Sequence, residues 1–349
     1  MSNELLNIEG NKMDNYIIRK AEKKDIPHIM SFIGKYWREG HILAISEDFF
    51  EFQHVWKEEV CYIISEKADT GELEGILGYI VYSDVQPRDL FGAIWKVRSN
   101  QYPMLGMKMQ MFALKNLGAR TFSAVALNPN TLSMHSHWGA YLGQLKHYYL
   151  LGNFNEYKIA LIKAPNFQSY NFTITQYTLS KIIDVDLLKK LCQEAFIRNT
   201  IPFKSWEYFY HRYFEHPIYT YVAYGIMDSN LIKAAFITRE IQENNRKVLR
   251  IIDYLGDTKW IQHCGRSFKK LAADGPYEYI DFYEYGVNDN YLKDAGFILR
   301  AKSDPNIIPN YFEPFVQKNI DIDFYTSEKS GNILLFKGDG DQDRPNFLK

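Results

Sequence analysis

The order of hydrophobic segments constrains this 349-residue chain more than any single motif, because the same order occurs twice. Tyr16–Arg19 reads as a short strand. Lys23-Lys24-Asp25-Ile26-Pro27 then reads as a helix start, with Asp25 as N-cap and Pro27 in the first turn, and Ile26, Ile29, Met30 and Ile33 follow at helical spacing. Val60–Ile64 and Gly75–Tyr82 flank the polar turn Asp69–Glu72 as a hairpin, and Phe91–Val97 extends the meander. Leu105–Leu117 predicts a helix, Thr121–Leu127 a strand and Leu132–Leu142 a short helix. His147–Leu151 and Tyr157–Ile162 read as closing strands. After the polar link Pro165–Tyr170 the order returns. Phe172–Ile174 is a strand and Asp184–Phe196 a helix, and Tyr219–Met227 pairs with Leu231–Ile241 across Asp228-Ser229-Asn230. Val248–Tyr254, a helix over Trp260–Ala272, the strand Tyr279–Tyr285 and a helical turn closed by Gly296 follow. A last strand, Ile333–Phe336, precedes a polar tail. This pattern predicts an α/β chain of two domains, 1–166 and 167–349, each a mixed, mostly antiparallel twisted sheet flanked by helices.

Composition narrows the function classes. With 41 basic and 42 acidic side chains the net charge is −1, so no global field draws a polyanion and a nucleic-acid partner is disfavoured. Cys61, Cys192 and Cys264 are isolated, with no CxxC pair, so neither a disulfide framework nor a cysteine zinc site is indicated, and no metal is expected. No apolar run approaches the length that spans a bilayer, and Met1–Asn15 is polar, so the reading is cytoplasmic, without a membrane partner. Aromatic residues reach 16%, which fits a ring-rich core or a ring-lined cleft.

The doubled order resembles the GCN5-related N-acetyltransferase (GNAT) superfamily, in tandem, over residues 15–165 and more loosely 170–337. The further likeness of Tyr141–Tyr149 is to members associated with bacterial surface-polysaccharide and modified-sugar synthesis. In that family a splayed pair of strands holds acyl-coenzyme A, and its pyrophosphate rests on backbone amides at the start of the helix after the fourth strand. The physical basis is the set of unpaired N–H groups and the dipole at a helix N-terminus. The family loop is Gln or Arg, two residues, Gly, one residue, then Gly or Ala. Gln101-Tyr102-Pro103-Met104-Leu105-Gly106 matches it at Gln101 and Gly106, with Met104 where the first glycine is expected. The resemblance therefore implies Gln101, Met104, Leu105, Gly106, Met107 and Lys108 as donor-binding residues and acetyl-CoA, or another acyl-CoA, as co-substrate.

The family also carries a tyrosine four residues before the glycine that ends a short helix, able to protonate the departing thiolate. Counting back from Gly139 gives His135, and from Gly296 gives Leu292, so the tyrosine is missing twice. His135 is one candidate for proton transfer, since a histidine titrates near neutrality. His147, beside a ring-rich strand, is another; the alternative is a satisfied core histidine. In the second half Asp281, Tyr283 and Tyr285 share one strand face and Glu284 lies on the other. A buried acid needs a partner, so Asp281 is either paired with an arginine such as Arg250 or exposed to a polar site. Asp281 and Glu284 are the further catalytic candidates, and Asp253, Tyr254, Tyr283 and Arg344 are the acceptor-binding candidates. The tail Lys337–Asn346 alternates Asp339, Asp341 and Asp343; it lacks an EF-hand's remaining positions and reads as a frayed polar end, the alternative being a loop that hydrogen-bonds sugar hydroxyls or an amine.

These residues imply an N-acyltransferase acting on a primary amine, such as a nucleotide-linked amino sugar, with the donor in the first half and the acceptor in the second. Two other classes stay open. One is a tandem-GNAT aminoacyl transferase using aminoacyl-tRNA, which the near-neutral charge disfavours; the other is a non-catalytic GNAT-like binding module. Oligomeric state is open, a homodimer included.

Overall fold

The computed structural model describes residues 15–98, 102, 104–164, 175–193, 199–328 and 332–347. The chain divides into two compact units whose segments interleave: Met1–Ile80, Gly92–Ala119 and Phe347–Lys349 in the first, Val81–Phe91 and Arg120–Asn346 in the second. The strand expected at Phe172–Ile174 lies outside the described residues. Among the described residues, no helix is long and apolar enough to cross a membrane.

In the first unit, β1 (Tyr16–Lys20), β2 (Tyr62–Lys67), β3 (Leu73–Val81) and β4 (Arg88–Val97) lie in that order, with β1–β2 and β2–β3 antiparallel. β4 begins in the second unit and runs into the first. Helix α1 (Ile26–Phe32) forms as its spacing predicts: Ile26, Ile29 and Phe32 are buried, and Pro27 sits where a missing N–H costs nothing. The Asp25 carboxylate does not cap it. It turns to Arg19, at 2.7 and 3.0 Å, and to the Glu22 amide. α2 (Glu47–His54) adds Phe49 and Phe50 to a core with Tyr62, Ile64, Ile76 and Ile94. α3 (Leu105–Asn116) follows β4.

The second unit orders its strands β5 (Ala119–Val125), β12 (Ile322–Thr326), β6 (Tyr141–Leu151), β11 (Tyr277–Tyr285), β10 (Arg246–Gly256), β9 (Leu231–Glu243), β8 (Tyr221–Asp228) and β7 (Tyr177–Lys181). The hairpin of β8 and β9 turns at Ser229, which takes a positive φ of 54°. Among the neighbouring pairs, β10 and β11 run parallel, as a helical crossover, α7 (Gly265–Asp274), requires. Further helices of this unit are α4 (Leu132–His137), α5 (Asp186–Cys192), α6 (Trp206–Phe209) and α8 (Asp289–Asp294). Phe236, Tyr254, Phe268, Phe282, Phe297 and Phe336 build the core, so here the high ring content is largely packing.

Two arrangements were not visible in the sequence. β12, late in the chain, inserts between β5 and β6 of the first repeat, antiparallel to both. Gly143 of β6 is required there, since a Cβ would lie 2.4 Å from the Phe324 ring. Tyr157–Ile162, expected as a strand, instead meets Leu161 to Ile307 in a single bridge. Its amides at Lys158, Ile159 and Ala160 donate to the buried Glu278 carboxylate at 2.8, 2.8 and 2.7 Å. A carboxylate that satisfies three amides removes their reason to join a ladder. Glu278→Gln turns an amide NH2 toward those donors, and we expect a loss of about 2–3 kcal/mol of unfolding free energy in a denaturant titration.

Candidate functional site

The first unit presents the start of α3. Met104, standing where a glycine was expected, takes the left-handed conformation glycine favours, with φ 69° and ψ 2°. The Leu105 amide donates to the Tyr102 carbonyl at 3.2 Å, and the Lys108 amide is the first to bond within the helix, to Met104 at 2.9 Å. Gly106 and Met107 therefore have amides ahead of the helical ladder, at the positive end of a 12-residue helix. Gly106 packs on Trp95; a Cβ would lie 2.9 Å from the indole. Lys108 extends over the Tyr16 ring, 5.3 Å from its centroid. Gln101 lies outside the described residues.

The second unit holds the remaining candidates in its interior. His135, on α4, is buried and stacks on Tyr325 at 4.0 Å, and burial pulls its pKa down to about 4. His147, on β6, accepts from Arg300 Nε at Nδ1, 3.2 Å, and its Nε2 lies 3.1 Å from Asp281 Oδ2. With Nδ1 accepting, the proton sits on Nε2 and is donated to Asp281. Burial pulls this histidine to about 4 against the pull of Asp281. It is therefore neutral, with both nitrogens engaged. Asp281 pairs with Arg250 through two bonds, at 3.0 and 2.6 Å, resolving the choice left open above. Burial works against its charge, but Arg250 and His147 hold its pKa below the usual carboxylate range. Glu284, on the opposite face, differs. Its Oε2 accepts the Val287 amide at 2.9 Å, Oε1 has no partner among the described residues, and burial pushes its pKa up to about 8. It keeps a proton at neutral pH.

The acceptor candidates do not converge. Tyr254 donates to the Asp257 carbonyl at 3.0 Å, Tyr283 stacks on His147 at 3.9 Å, and Arg344 pairs with Asp341 at 3.1 Å. Asp253 belongs to a cluster the sequence reading missed. Lys204 reaches both oxygens of Asp253 at 2.8 Å and Asp339 at 2.7 Å. Tyr213 donates to Asp253 at 2.7 Å, and Tyr82 to Asp339 at 3.1 Å. Burial disfavours the Lys204 charge, yet the two carboxylates outweigh it and its pKa rises. One ammonium between two buried carboxylates leaves one of them short, and Asp339 is the one pushed upward, by burial and by Asp253. Lys204 also borders a small cavity with Thr200, Phe209, Tyr254 and Phe336, roomy enough for about one water.

The tail expected to fray is instead buried. After Asp339, Asp343 accepts from Arg239 at 2.7 and 3.1 Å and from Tyr221 at 2.8 Å. Burial opposes the Asp343 charge, but Arg239 holds its pKa well below the ordinary range. Lys337, at the head of this segment, is only 4% exposed, and no hydrogen bond or ion pair joins its Nζ to another described residue. Burial first, then Arg250, pulls its pKa down to about 7. No sequence signal marks Lys204, because its carboxylate partners lie far along the chain, or Lys337, whose surroundings are assembled only by folding. Among the described residues no cluster of ligating side chains could hold a metal ion.

No family model matches the chain, and no curated protein matches it. Among solved structures, a GCN5-related N-acetyltransferase from Anabaena variabilis matches with a TM-score of 0.54 at 10% identity, over 89% of this chain and 72% of that one. A conserved protein of unknown function from Enterococcus faecalis V583, described as a probable N-acyltransferase, matches with a TM-score of 0.53 at 8% identity, over 90% and 72%. The likeness is one of fold: this chain shares the mixed α/β fold of these two proteins.

The two buried lysines respond oppositely to removal of charge. Lys204→Met leaves two carboxylates uncompensated and should cost about 3–5 kcal/mol. Lys337→Met removes a cation that folding disfavours. Because the folded-state pKa of Lys337 is depressed, its penalty is absent above the unfolded-state value and grows as pH falls toward 7. Urea titrations should therefore show Lys337→Met more stable than wild type, by more at pH 7 than at pH 10.

Proposed function

We propose that the chain is an acyl-CoA-dependent N-acyltransferase, transferring an acetyl or other acyl group to a primary amine such as a nucleotide-linked amino sugar of surface-polysaccharide synthesis. The observation that carries this reading is the start of α3 within a GNAT fold. Met104 supplies a glycine-like turn without glycine, and within the Leu105–Lys108 turn the amides of Gly106 and Met107 stand ahead of the helical ladder, where phosphate oxygens are stabilised by N–H groups and by the dipole. Lys108 adds a cation, and Gln101 completes the donor set assigned by the family pattern. The chemistry asks for a neutral amine, a held thioester and dipoles that polarise its carbonyl.

The reading gives the donor to the 1–166 half and the acceptor to the 167–349 half. One feature of the second half supports this division. β10 and β11 pair only as far as Ile251 and Phe282, and beyond that the chain's own β13 (Leu335–Phe336) lies beside β11. Gly338 donates to the Ile252 carbonyl of β10 at 2.7 Å. The place where a diverging strand pair would take acyl-CoA in this half is thus filled by protein. Of the catalytic candidates, Glu284 retains a proton and an uncommitted oxygen, which suits a donor to a departing thiolate. His147 and Asp281 suit positioning, and His135 is a weak base in a ring stack. Asp253, Tyr254, Tyr283 and Arg344 are assigned to the acceptor side. An acyl-CoA co-substrate fits the cytoplasmic reading of the sequence.

A filled strand gap also favours a second half that binds without catalysing. Coenzyme A binding separates an enzyme from a wholly non-catalytic module. By calorimetry, wild type should bind coenzyme A and acetyl-CoA with micromolar affinity. Met107→Asp puts an acid in the first turn, which favours the helix by about 0.3–1 kcal/mol but repels pyrophosphate. It should bind at least tenfold more weakly with an unchanged melting temperature. Absence of binding to wild type, or equal binding by Met107→Asp, contradicts the proposal.

A further inference from the structure

We propose that Lys337 and Asn310, in the interior of the second unit, form a binding site for a carboxylate group. Two donors have no acceptor among the described residues: the buried Asn310 amide, and the ammonium of Lys337, a residue only 4% exposed. Asn310 is 3% exposed; its Oδ1 faces Arg250 Nη1 at 3.3 Å, while its Nδ2 has no partner among the described residues. Lys337 Nζ is likewise unbonded, as shown above. Native interiors rarely leave such groups unpaired, because each costs about 1–3 kcal/mol, and more when charged.

Both donors belong to the surroundings of one guanidinium. Arg250 bonds the Asn310 carbonyl and side chain, and Arg250 and Lys337 each approach the Tyr283 ring, at 5.8 and 6.0 Å from its centroid. Arg250 itself cannot bond a ligand. Its Nε serves Asp281, Nη1 serves Asn310, and Nη2 serves Asp281 and the Pro309 carbonyl. It supplies field, and the two free donors supply bonds. The ring of Tyr311, the residue after Asn310, lies 5.7 Å from Lys337 Nζ, and that of Tyr283 lies 6.0 Å away. These distances are at the outer limit of a cation–π contact, so the ammonium is bordered by rings without being held by either.

Charge accounting selects the ligand class. Around Lys337, Arg250 is paired with Asp281 and Arg239 with Asp343, while Arg300, beside His147, is paired with Asp321. His147 is neutral. Arg212, also near Asp343, bonds its backbone carbonyl. Lys337 has no carboxylate bonded to it, so one negative charge completes its own pairing. A carboxylate has that charge and two oxygens, one for the Lys337 ammonium and one for the Asn310 amide. Phosphate and other dianions would bring a second charge that no donor here balances. The site is independent of the acyl-transfer reading; within that reading it would take a carboxylate carried by the acceptor.

The test is calorimetry of the full chain with acetate as probe and chloride as control. Acetate should bind where chloride does not. Because the complex requires the ammonium, binding above pH 7 should take up a proton, detected as heats that differ between buffers of different ionisation enthalpy. Affinity should fall about tenfold per pH unit above pH 8. Lys337→Met should abolish binding, and Asn310→Asp, which sets a like charge beside the ligand, should weaken it at least tenfold. If Lys337→Met fails to fold, Asn310→Leu provides the same comparison through the other donor and should also lose binding. Indistinguishable acetate and chloride titrations, acetate binding without proton uptake, or variants that bind like wild type would each overturn the site.

Discussion

The Lys204 ammonium, held between Asp253 and Asp339, is the interaction on which the second unit's interior depends. It joins the segment before α6 to β10 and to the C-terminal tail. An ion pair this deep gives little net stability relative to an apolar core, because desolvation of each charge offsets most of the attraction. Its consequence is positional. Once Asp339 is fixed, its Oδ2 accepts the Phe336 amide at 2.7 Å, and Gly340 donates to the Tyr82 hydroxyl at 2.7 Å. Phe336 then stacks on Phe282 at 5.5 Å. Asp343 repeats the device with Arg239 and Tyr221.

That anchoring explains why Lys337 sits where it does. Its neighbours Phe336 and Gly338 are both hydrogen-bonded through the backbone, to the Asp339 side chain and to Ile252, so the segment cannot shift to release the lysine to solvent. A lysine tolerated at 4% exposure without a carboxylate is held by its surroundings against its own solvation. The His147 network beside it differs, being closed at both ring nitrogens and at every Arg250 nitrogen. One network is complete and the other is open at Lys337 and Asn310, and this asymmetry distinguishes framework from candidate site.

The sequence made the local elements legible and concealed the long-range ones. The β8–β9 hairpin was readable because apolar residues flank Asp228-Ser229-Asn230, and α1 because Ile26, Ile29 and Phe32 share a face. The Arg250–Asp281 pair was foreseeable from the cost of an acid on a ring-rich strand. Tyr157–Ile162 misled because its composition suits a strand, and nothing nearby reveals that Glu278, about 120 positions later, takes its amides. The tail misled for the same reason. Alternating aspartates look solvated until Lys204 and Arg239 are brought to them by folding. The donor loop was legible as a pattern, and the left-handed Met104 shows how a side chain can occupy a position where glycine was expected.

Native-state hydrogen exchange at the C-terminal segment tests the central claim most directly, since it asks whether the tail is part of the core that shapes the site. The account predicts that the amides of Phe336, Gly338, Asp339 and Gly340 exchange among the slowest in the second unit, opening only with global unfolding. Exchange of those amides at rates close to an unstructured peptide would show a tail that is not anchored by Lys204, and the interior described for the second unit would be wrong.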